Sequence, residues 1–394
     1  MASFAGVDFF KTDDLLSEEE RAVRDTVRAW VDDKLVPVIG EAYTQRRFPK
    51  ELVPQMAELG MFGANMPEKY GCAELNNVAY GLIMRELERG DSGVRSFASV
   101  QSALVMYPIL AFGSEEQRTH WLPKLAAGEV IGCFGLTEPD FGSDPGGMIT
   151  RAVKDGDQWV INGTKMWITN GSTAGVAIIW AQTGELNDSK TISGFIVETE
   201  RDGFSAKDQQ GKLSLLASDT SELSLQDVRV PAENQLPDAM GLKHPLMCLN
   251  QARYGIAWGA VGAAMACYDE ALSYAKNRVQ FQRPIAGYQI QQVRLVEMLT
   301  EITKAQLLCL QLGRLKDKGA LHHTQVSLAK RNNVNMATEV AREARRLLGA
   351  NGILAEYQSM RHMANLESVY TYEGTHDIHG LIIGEEITGL SAIT

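Results

Sequence analysis

The sequence predicts an α+β protein in three parts: a helical segment, a β segment and a second helical segment. Three observations predict it. Apolar residues recur at helical spacing from about residue 15 to 130. Short β-type runs separated by turn residues fill 131–240. Long amphipathic stretches then run from about 245 to the end. The expected domains are 1–130, all-α; 131–240, a compact β-barrel or sandwich; and 241–394, a bundle of four-helix type. A chain of 394 residues exceeds one typical core, which agrees with such a division.

Each element has a local reason. Ser17 with Glu20 three residues on is a capping box, and Val23, Val27, Trp30 and Val31 then form one helical face. Pro49 starts a helix carrying Leu52, Met56 and Leu59. Met66, Pro67 and Gly71 mark a loop, and 76–89 and 98–113 read as apolar helices. Ser114 with Gln117 is a second capping box. In the middle part, Trp159–Gly163 includes an Asn162-Gly163 turn signal, and 176–180, 191–198 and 221–230 are further strands. Pro231 and Pro237 flank the exit. The last part predicts long helices over 252–277, 285–315 and 322–348. Two more apolar-periodic segments, 352–370 and 378–391, enclose the polar run 371–379.

Composition excludes several classes. The net charge is −11, from 38 Lys and Arg against 49 Asp and Glu, and no basic arm offsets it, so a nucleic-acid partner is not expected. The five cysteines (Cys72, Cys133, Cys248, Cys267 and Cys309) are odd in number and lack C-x-x-C spacing. Neither a disulfide framework nor a zinc site is expected, and a reducing compartment fits. No run of about 18 apolar residues suggests a membrane span. The acidic N-terminus resembles neither a secretory signal nor a transit peptide, so a bacterial-type cytoplasmic location is expected.

Motifs narrow the chemistry. Gly259 and Gly262 lie inside a helical stretch and follow no strand, so they fail the dinucleotide test. No P-loop, H-E-x-x-H or G-x-S-x-G occurs. His322, His323, His376 and His379 lack partners at ligand spacing and read as solvated or capping residues, so no metal is expected. In the run 371–379, Gly374 can end one helix in a left-handed conformation and Thr375 can cap the next. Glu373 would then sit at a tight junction. On these residues alone it is either an aimed carboxylate or part of an ordinary polar turn.

The larger pattern resolves into a resemblance. Leu136-Thr-Glu-Pro139 with Gly142-Ser-Asp144, Trp167-Ile-Thr169, Arg278 and Gln280-Phe281 with Gln289 and Gln292, Leu348-Gly-Ala-Asn-Gly352 and Tyr372-Glu-Gly-Thr375 stand in the order found in acyl-CoA dehydrogenases. The resemblance covers nearly the whole chain and implies that family's α–β–α fold. Within it, Glu86–Ser96, Ser99-Val-Gln-Ser102, Ala252–Trp258 and Tyr372–Asp377 are most similar to the glutaryl-CoA dehydrogenase branch.

This resemblance implies roles. Glu373 corresponds to the base that removes the substrate α-proton while hydride leaves for FAD. Arg95 corresponds to the arginine that receives a distal substrate carboxylate, which a guanidinium can grip bidentately. Glu88 and Tyr372 match residue types carried by decarboxylating members. Ser96 and Ser99 line the same acyl-pocket stretch, and Ser143, Asn250 and Arg253 match positions meeting the CoA moiety or the thioester. Phe134, Leu136, Thr137, Gly142, Trp167 and Thr169 match FAD contacts around the ring. Arg278, Gln280, Phe281, Gln289 and Gln292 match FAD contacts made from a neighbouring subunit. Gly349, Asn351, Gly352, Thr375 and Asp377 match further FAD-side positions.

The implied reaction is oxidation of a short dicarboxylyl-CoA, glutaryl-CoA, with decarboxylation to crotonyl-CoA and electrons passed to electron-transfer flavoprotein. The implied assembly is a homo-oligomer, a tetramer. Two alternatives stand beside it: a short-chain acyl-CoA dehydrogenase or oxidase acting on a chain without a carboxylate, and a non-catalytic FAD or acyl-carrier binding protein. The sequence departs from the family's usual pattern at Leu216, Gln282, Ala350 and Glu385-Glu386.

Overall fold

The computed structural model describes residues 6–392 and is mixed α+β, in the order expected. The first part holds α1 (Glu18–Trp30), α2 (Val36–Thr44), α3 (Val53–Glu58), α4 (Asn77–Gly90), α5 (Ser92–Ser99), α6 (Tyr107–Phe112) and α7 (Glu115–Ala126). Both predicted capping boxes are present: Glu20 N–H donates to Ser17 Oγ at 3.1 Å, and Gln117 N–H to Ser114 Oγ at 3.2 Å. π-helical turns at Val31–Leu35 and Val100–Met106 join α1 to α2 and α5 to α6.

The middle part is β1 (Gly132–Gly135), β2 (Arg151–Asp155), β3 (Gln158–Thr169), β4 (Val176–Gln182), β5 (Ile192–Glu198), β6 (Phe204–Asp208), β7 (Thr220–Pro231) and β8 (Gln235–Met240). They form one sheet in the order β6-β7-β3-β2-β4-β5-β8, with β1 parallel to β4. Along β4, Val176, Ile178 and Trp180 join the helical core, while Ala177, Ile179 and Ala181 join a second core beneath the sheet. The period-2 pleat thus glues one sheet face onto the helices.

The expected Asn162-Gly163 turn is absent; both residues lie inside β3. The turn falls instead at Gly156-Asp157, where Gly156 has φ +63°. Two long-range contacts explain it. Asp227 N–H donates to Asn162 Oδ1 at 2.9 Å on the partner strand β7. At Gly163, φ is +155° and a Cβ would sit 2.2 Å from Thr150 Oγ1. The pair marks a bulge rather than a hairpin.

The last part has α8 (Lys243–Asn277), a short ribbon of β9 (Val279–Gln280) and β10 (Arg283–Pro284), then α9 (Gln289–Asp317), α10 (His323–Leu347), α11 (Ser359–Thr371) and α12 (His376–Thr388). First and last parts share one core. The packing of α4 on α8 is unusually close. A Cβ at Gly262 would lie 1.9 Å from Arg85 O, and one at Gly259 1.9 Å from Glu88 Oε2. The two glycines that failed the dinucleotide test therefore let two helix backbones meet. Among the described residues no helix is long and apolar enough to cross a membrane, and no group of three or more His, Cys, Asp or Glu could hold a metal ion.

Candidate active site

The junction between α11 and α12 is where the functional side chains converge. α11 ends at Thr371, and Tyr372 turns extended. Glu373 has φ +54° and Gly374 φ +91°. A left-handed glycine is ordinary; a left-handed glutamate is strained by roughly 1–3 kcal/mol and must be held. Thr375 then caps α12, its Oγ1 accepting Ile378 N–H at 3.2 Å.

Two buried cations do the holding. Arg253 of α8 donates from Nε to Glu373 O at 2.8 Å. Lys330 of α10, only 2% exposed, donates from Nζ to Gly374 O at 2.6 Å and also to Tyr372 O. Three successive carbonyls are thereby fixed. Gly374 is required here: a Cβ would meet His379 Nε2 at 3.0 Å and Arg253 Nη2 at 3.2 Å. His379 is fully buried, and burial with Lys330 and Arg253 nearby holds it neutral. It is packed against the junction rather than solvated, contrary to the sequence expectation.

The Glu373 side chain points into protein. Its Oε2 is buried with no hydrogen-bond partner. Burial raises its pKa above the usual carboxylate value, against the opposing pull of Arg95, Lys330 and Arg253. A half-buried carboxylate with a free oxygen and a raised pKa is suited to accept a proton from carbon.

Beside it lies the Arg95 cluster. Arg95 on α5 is fully buried; its Nε meets Glu88 Oε2 at 2.5 Å, and its Nη2 donates to the Tyr372 hydroxyl. Its Nη1 is buried without a partner. Burial opposes the charge, yet Glu88 and Tyr372 raise the guanidinium's pKa. Asp91 is not its partner, because Arg361 Nε and Asn365 Nδ2 take Asp91 Oδ2 at 3.1 and 3.0 Å. Burial pushes the Glu88 carboxyl up despite Arg95. Glu88, Arg95, Tyr372, Glu373 and Arg253 thus form one connected group. Ser96 and Ser99 are buried on the same helix α5 as Arg95. Asn250, with a buried free Oδ1, lines a cavity of about 160 Å³ with Gln251, Tyr254 and Lys316.

A second group lies at the sheet edge. Phe134 and Leu136 are buried at the end of β1, and Phe134 packs against Trp180 at 6.1 Å. Met166 N–H donates to Thr137 O at 2.9 Å, bringing the 136–137 loop beside the end of β3. There Trp167, with φ +63°, is 61% exposed, and Thr169 is half-buried two residues on. The loop is pinned by buried Lys165, whose Nζ reaches Leu136 O at 3.0 Å and Glu138 Oε1 at 2.9 Å. Gly142 and Ser143 are exposed on the loop beyond.

A third group is spread over the surface. Arg278, Gln280, Phe281, Gln289 and Gln292 are exposed on the β9–β10 ribbon and the start of α9. Among the described residues, no hydrogen bond or ion pair joins them to the Glu373 cluster. Asn351 donates from Nδ2 to the Tyr274 hydroxyl at 3.0 Å, and Gly352 is buried where a Cβ would lie 2.3 Å from Arg345 O. Gly349 and Asp377 are exposed.

Profiles described as "Acyl-CoA dehydrogenase, N-terminal domain", "middle domain" and "C-terminal domain" match residues 17–129, 133–228 and 239–388. The chain belongs to the acyl-CoA dehydrogenase family. It is 53% identical to a crystal structure of glutaryl-CoA dehydrogenase from Mycobacterium smegmatis, covering 99% of this chain and 100% of that one, with a TM-score of 0.95. A structure of a glutaryl-CoA dehydrogenase from the same organism in complex with FADH2 is 50% identical over 99% of this chain and 100% of that one, with a TM-score of 0.96. The short-chain specific acyl-CoA dehydrogenase of Bos taurus mitochondria is 35% identical over 369 residues, 93% of this chain and 90% of that protein.

This acyl-CoA dehydrogenase is an FAD-dependent oxidoreductase. The sheet edge fits such a cofactor. A large exposed indole and two threonine hydroxyls beside a pinned backbone loop offer a flat apolar wall with polar points at its rim, which suits a planar ring with hydrogen-bonding edges. Lys330, Lys165 and His379 are the site-supporting residues that sequence reasoning missed. Nothing in the sequence around Lys165 or Lys330 marks either lysine as buried, and only tertiary contacts reveal it.

Proposed function

We propose that the chain oxidises glutaryl-CoA and decarboxylates the product to crotonyl-CoA, passing electrons to electron-transfer flavoprotein. The observation that carries the dicarboxylyl reading is Arg95: fully buried, its Nη1 unpartnered, and hydrogen-bonded to the tyrosine adjoining Glu373. An aliphatic chain ending there would leave that N–H unsatisfied, whereas a carboxylate would take it.

Glu373 then acts as the base. Its free Oε2 takes the α-proton of the thioester, and substrate entry removes remaining water and raises its pKa further. When bound, FAD supplies the acceptor for the β-hydride. The resulting glutaconyl thioester loses CO₂ as the C4–C5 bond breaks. The electron pair stays on the C2–C4 dienolate, and protonated Glu373 returns its proton at C4. Arg95 and Tyr372 hold the distal carboxylate until it leaves.

The exposed positions 278–292 support an assembly in which each protomer reaches its neighbour's FAD. Phe281 on the ribbon is 90% exposed, and Val279 on the ribbon and Ile290, Val293 and Val296 on α9 are exposed as well, a concentration of exposed apolar residues in one stretch of chain. A homotetramer is the assembly proposed, checked by light scattering of the holoenzyme.

A second reading keeps one observation in its favour. Glu88 already neutralises Arg95 within the protein, so a short chain without a carboxylate could be accepted. Anaerobic titration of the yellow holoenzyme with glutaryl-CoA and butyryl-CoA decides between them. Bleaching by glutaryl-CoA with crotonyl-CoA as product supports the proposal. Glutaconyl-CoA as sole product removes the decarboxylation step, and bleaching by butyryl-CoA alone removes the dicarboxylyl reading.

A further inference from the structure

The reaction described uses Glu373, Arg95 and Tyr372 but leaves a buried lysine without a role. Lys330 lies on α10, 2% exposed; burial lowers its pKa from 10.5 to about 7 against the opposing pull of Glu373, so its ammonium is held on the acidic side of neutrality. Its partners are two carbonyls, of Tyr372 and Gly374, one on each side of Glu373. Between them Glu373 adopts φ +54°, which a glutamate leaves readily unless its neighbours are fixed. Arg253 fixes the intervening carbonyl from the opposite helix.

We propose that Lys330 is a positioning residue for proton abstraction: its buried ammonium clamps the carbonyls before and after Glu373 and so aims the Glu373 carboxylate. The proposal rests on the reading of Glu373 as base. Helix-end carbonyls often take a lysine merely to satisfy orphan acceptors. Here the clamp spans the strained residue itself, reaching Gly374 as well as the helix-terminal Tyr372.

The clamp also sets charge. Glu373 is faced by Arg253 from α8, Arg95 from α5, Glu88 from α4, Lys330 from α10 and Tyr372 beside it. Tyr80 of α4 also faces Glu373, and His376 and His379 of α12 stand near Lys330, burial lowering the pKa of each. Lys330 and the two arginines pull the Glu373 pKa down against burial. Removing one cation therefore lets the base's pKa rise. The acidic limb of the kcat profile then moves to higher pH.

The test compares Lys330→Met and Lys330→Gln holoenzymes with the parent and with Glu373→Gln. Flavin content and melting temperature are measured on every sample. Methionine removes both donors and the charge; glutamine removes the charge but can still donate. In Lys330→Met, kcat per bound flavin should fall about 100-fold, the cost of a misplaced reacting group, with KM nearly unchanged. Its acidic limb should rise by about one pH unit. Lys330→Gln should share the shifted limb yet keep kcat within about tenfold of the parent.

A parental kcat and limb in Lys330→Met overturns the proposal. So does lost flavin or lowered melting with kcat per bound flavin unchanged, which would assign Lys330 to the fold alone. Should the methionine variant fail to accumulate, an unmoved limb in Lys330→Gln overturns it equally. Full activity in Glu373→Gln would instead remove the base itself, a result separate from any Lys330 outcome.

Discussion

Removing the positive charge at Arg95 tests the acyl-end assignment most directly. The structure says that a single substitution is ambiguous. Arg95→Met would strand Glu88 as a carboxylate with no exposure and no counter-charge. Breaking a buried pair in this way costs about 3–5 kcal/mol of stability, enough to confuse activity with folding. The informative variant is the double change Glu88→Gln with Arg95→Met, which removes both charges and should lie much nearer the parent in melting temperature than Arg95→Met. What remains is the loss of the donor for the substrate's distal carboxylate. Truncating one partner of a buried, hydrogen-bonded charge pair costs about 2–5 kcal/mol. At 1.4 kcal/mol per tenfold, the ratio of kcat/KM for glutaryl-CoA over butyryl-CoA should fall about 30- to 4,000-fold. The assay is steady-state turnover of both thioesters with an artificial electron acceptor, normalised to bound flavin. A ratio within twofold of the parent's in the double variant would refute the reasoning and make the Arg95–Glu88 pair purely structural.

Glu373→Gln should bind flavin and thioester normally but reduce flavin at least about 100-fold more slowly, read by stopped-flow bleaching. Gly259→Ala puts a methyl group 1.9 Å from Glu88 Oε2; overpacking should cost about 1–3 kcal/mol in thermal unfolding, with glutaryl-CoA turnover impaired more than flavin binding. Glu86 is buried, yet Arg85, Arg28 and Arg89 overcome that burial and hold its pKa down at about 2 against an ordinary 4.5. A depressed carboxylate stabilises the fold fully above the unfolded value, so about 3 kcal/mol should be lost as pH falls from 4.5 through 2. Glu86→Gln should flatten that part of the melting-temperature profile. Phe281 and Gln282 both have positive φ, +51° and +69°, in the two-residue turn of the β9–β10 ribbon, so Gln282→Gly should raise stability by about 1 kcal/mol in chemical denaturation.

Where a signal was local, the sequence carried it. Ser17 with Glu20 and Ser114 with Gln117 cap helices through atoms three residues apart, so pattern and structure coincide. Gly374 and Thr375 did the same at the junction, which is why Glu373 stood out before any contact was known. The motif order supplied the family, and with it the flavin. Readings failed where the deciding partner is far along the chain. Asn162-Gly163 has turn chemistry, but Asp227 and Thr150 make it a bulge. A mid-helix lysine has no sequence mark of burial, so Lys330 was invisible until three carbonyls of another segment appeared beside α10 and α8. Gln282 departs from the family's usual pattern, and its left-handed turn position, which favours glycine, gives that departure its physical meaning.

α8 explains why these parts act together. Gly259 brings its backbone so close to α4 that no side chain fits between it and the Glu88 carboxylate. That carboxylate fixes Arg95, Arg95 reaches Tyr372, and Tyr372 is the residue before the base. Six residues earlier on α8, Arg253 donates to the carbonyl of Glu373, the proposed base. One helix therefore sets both the position of the Arg95 guanidinium and the backbone from which the Glu373 carboxylate projects. The distance between the two ends is then a property of a rigid helix rather than of a loop. With the roles proposed for Arg95 and Glu373, such a site would measure substrate length: a distal carboxylate one methylene too short or too long could satisfy Arg95 or present its α-proton to Glu373, but not both at once. Selectivity among dicarboxylyl thioesters should accordingly be expressed in kcat, through misalignment at Glu373, more than in binding.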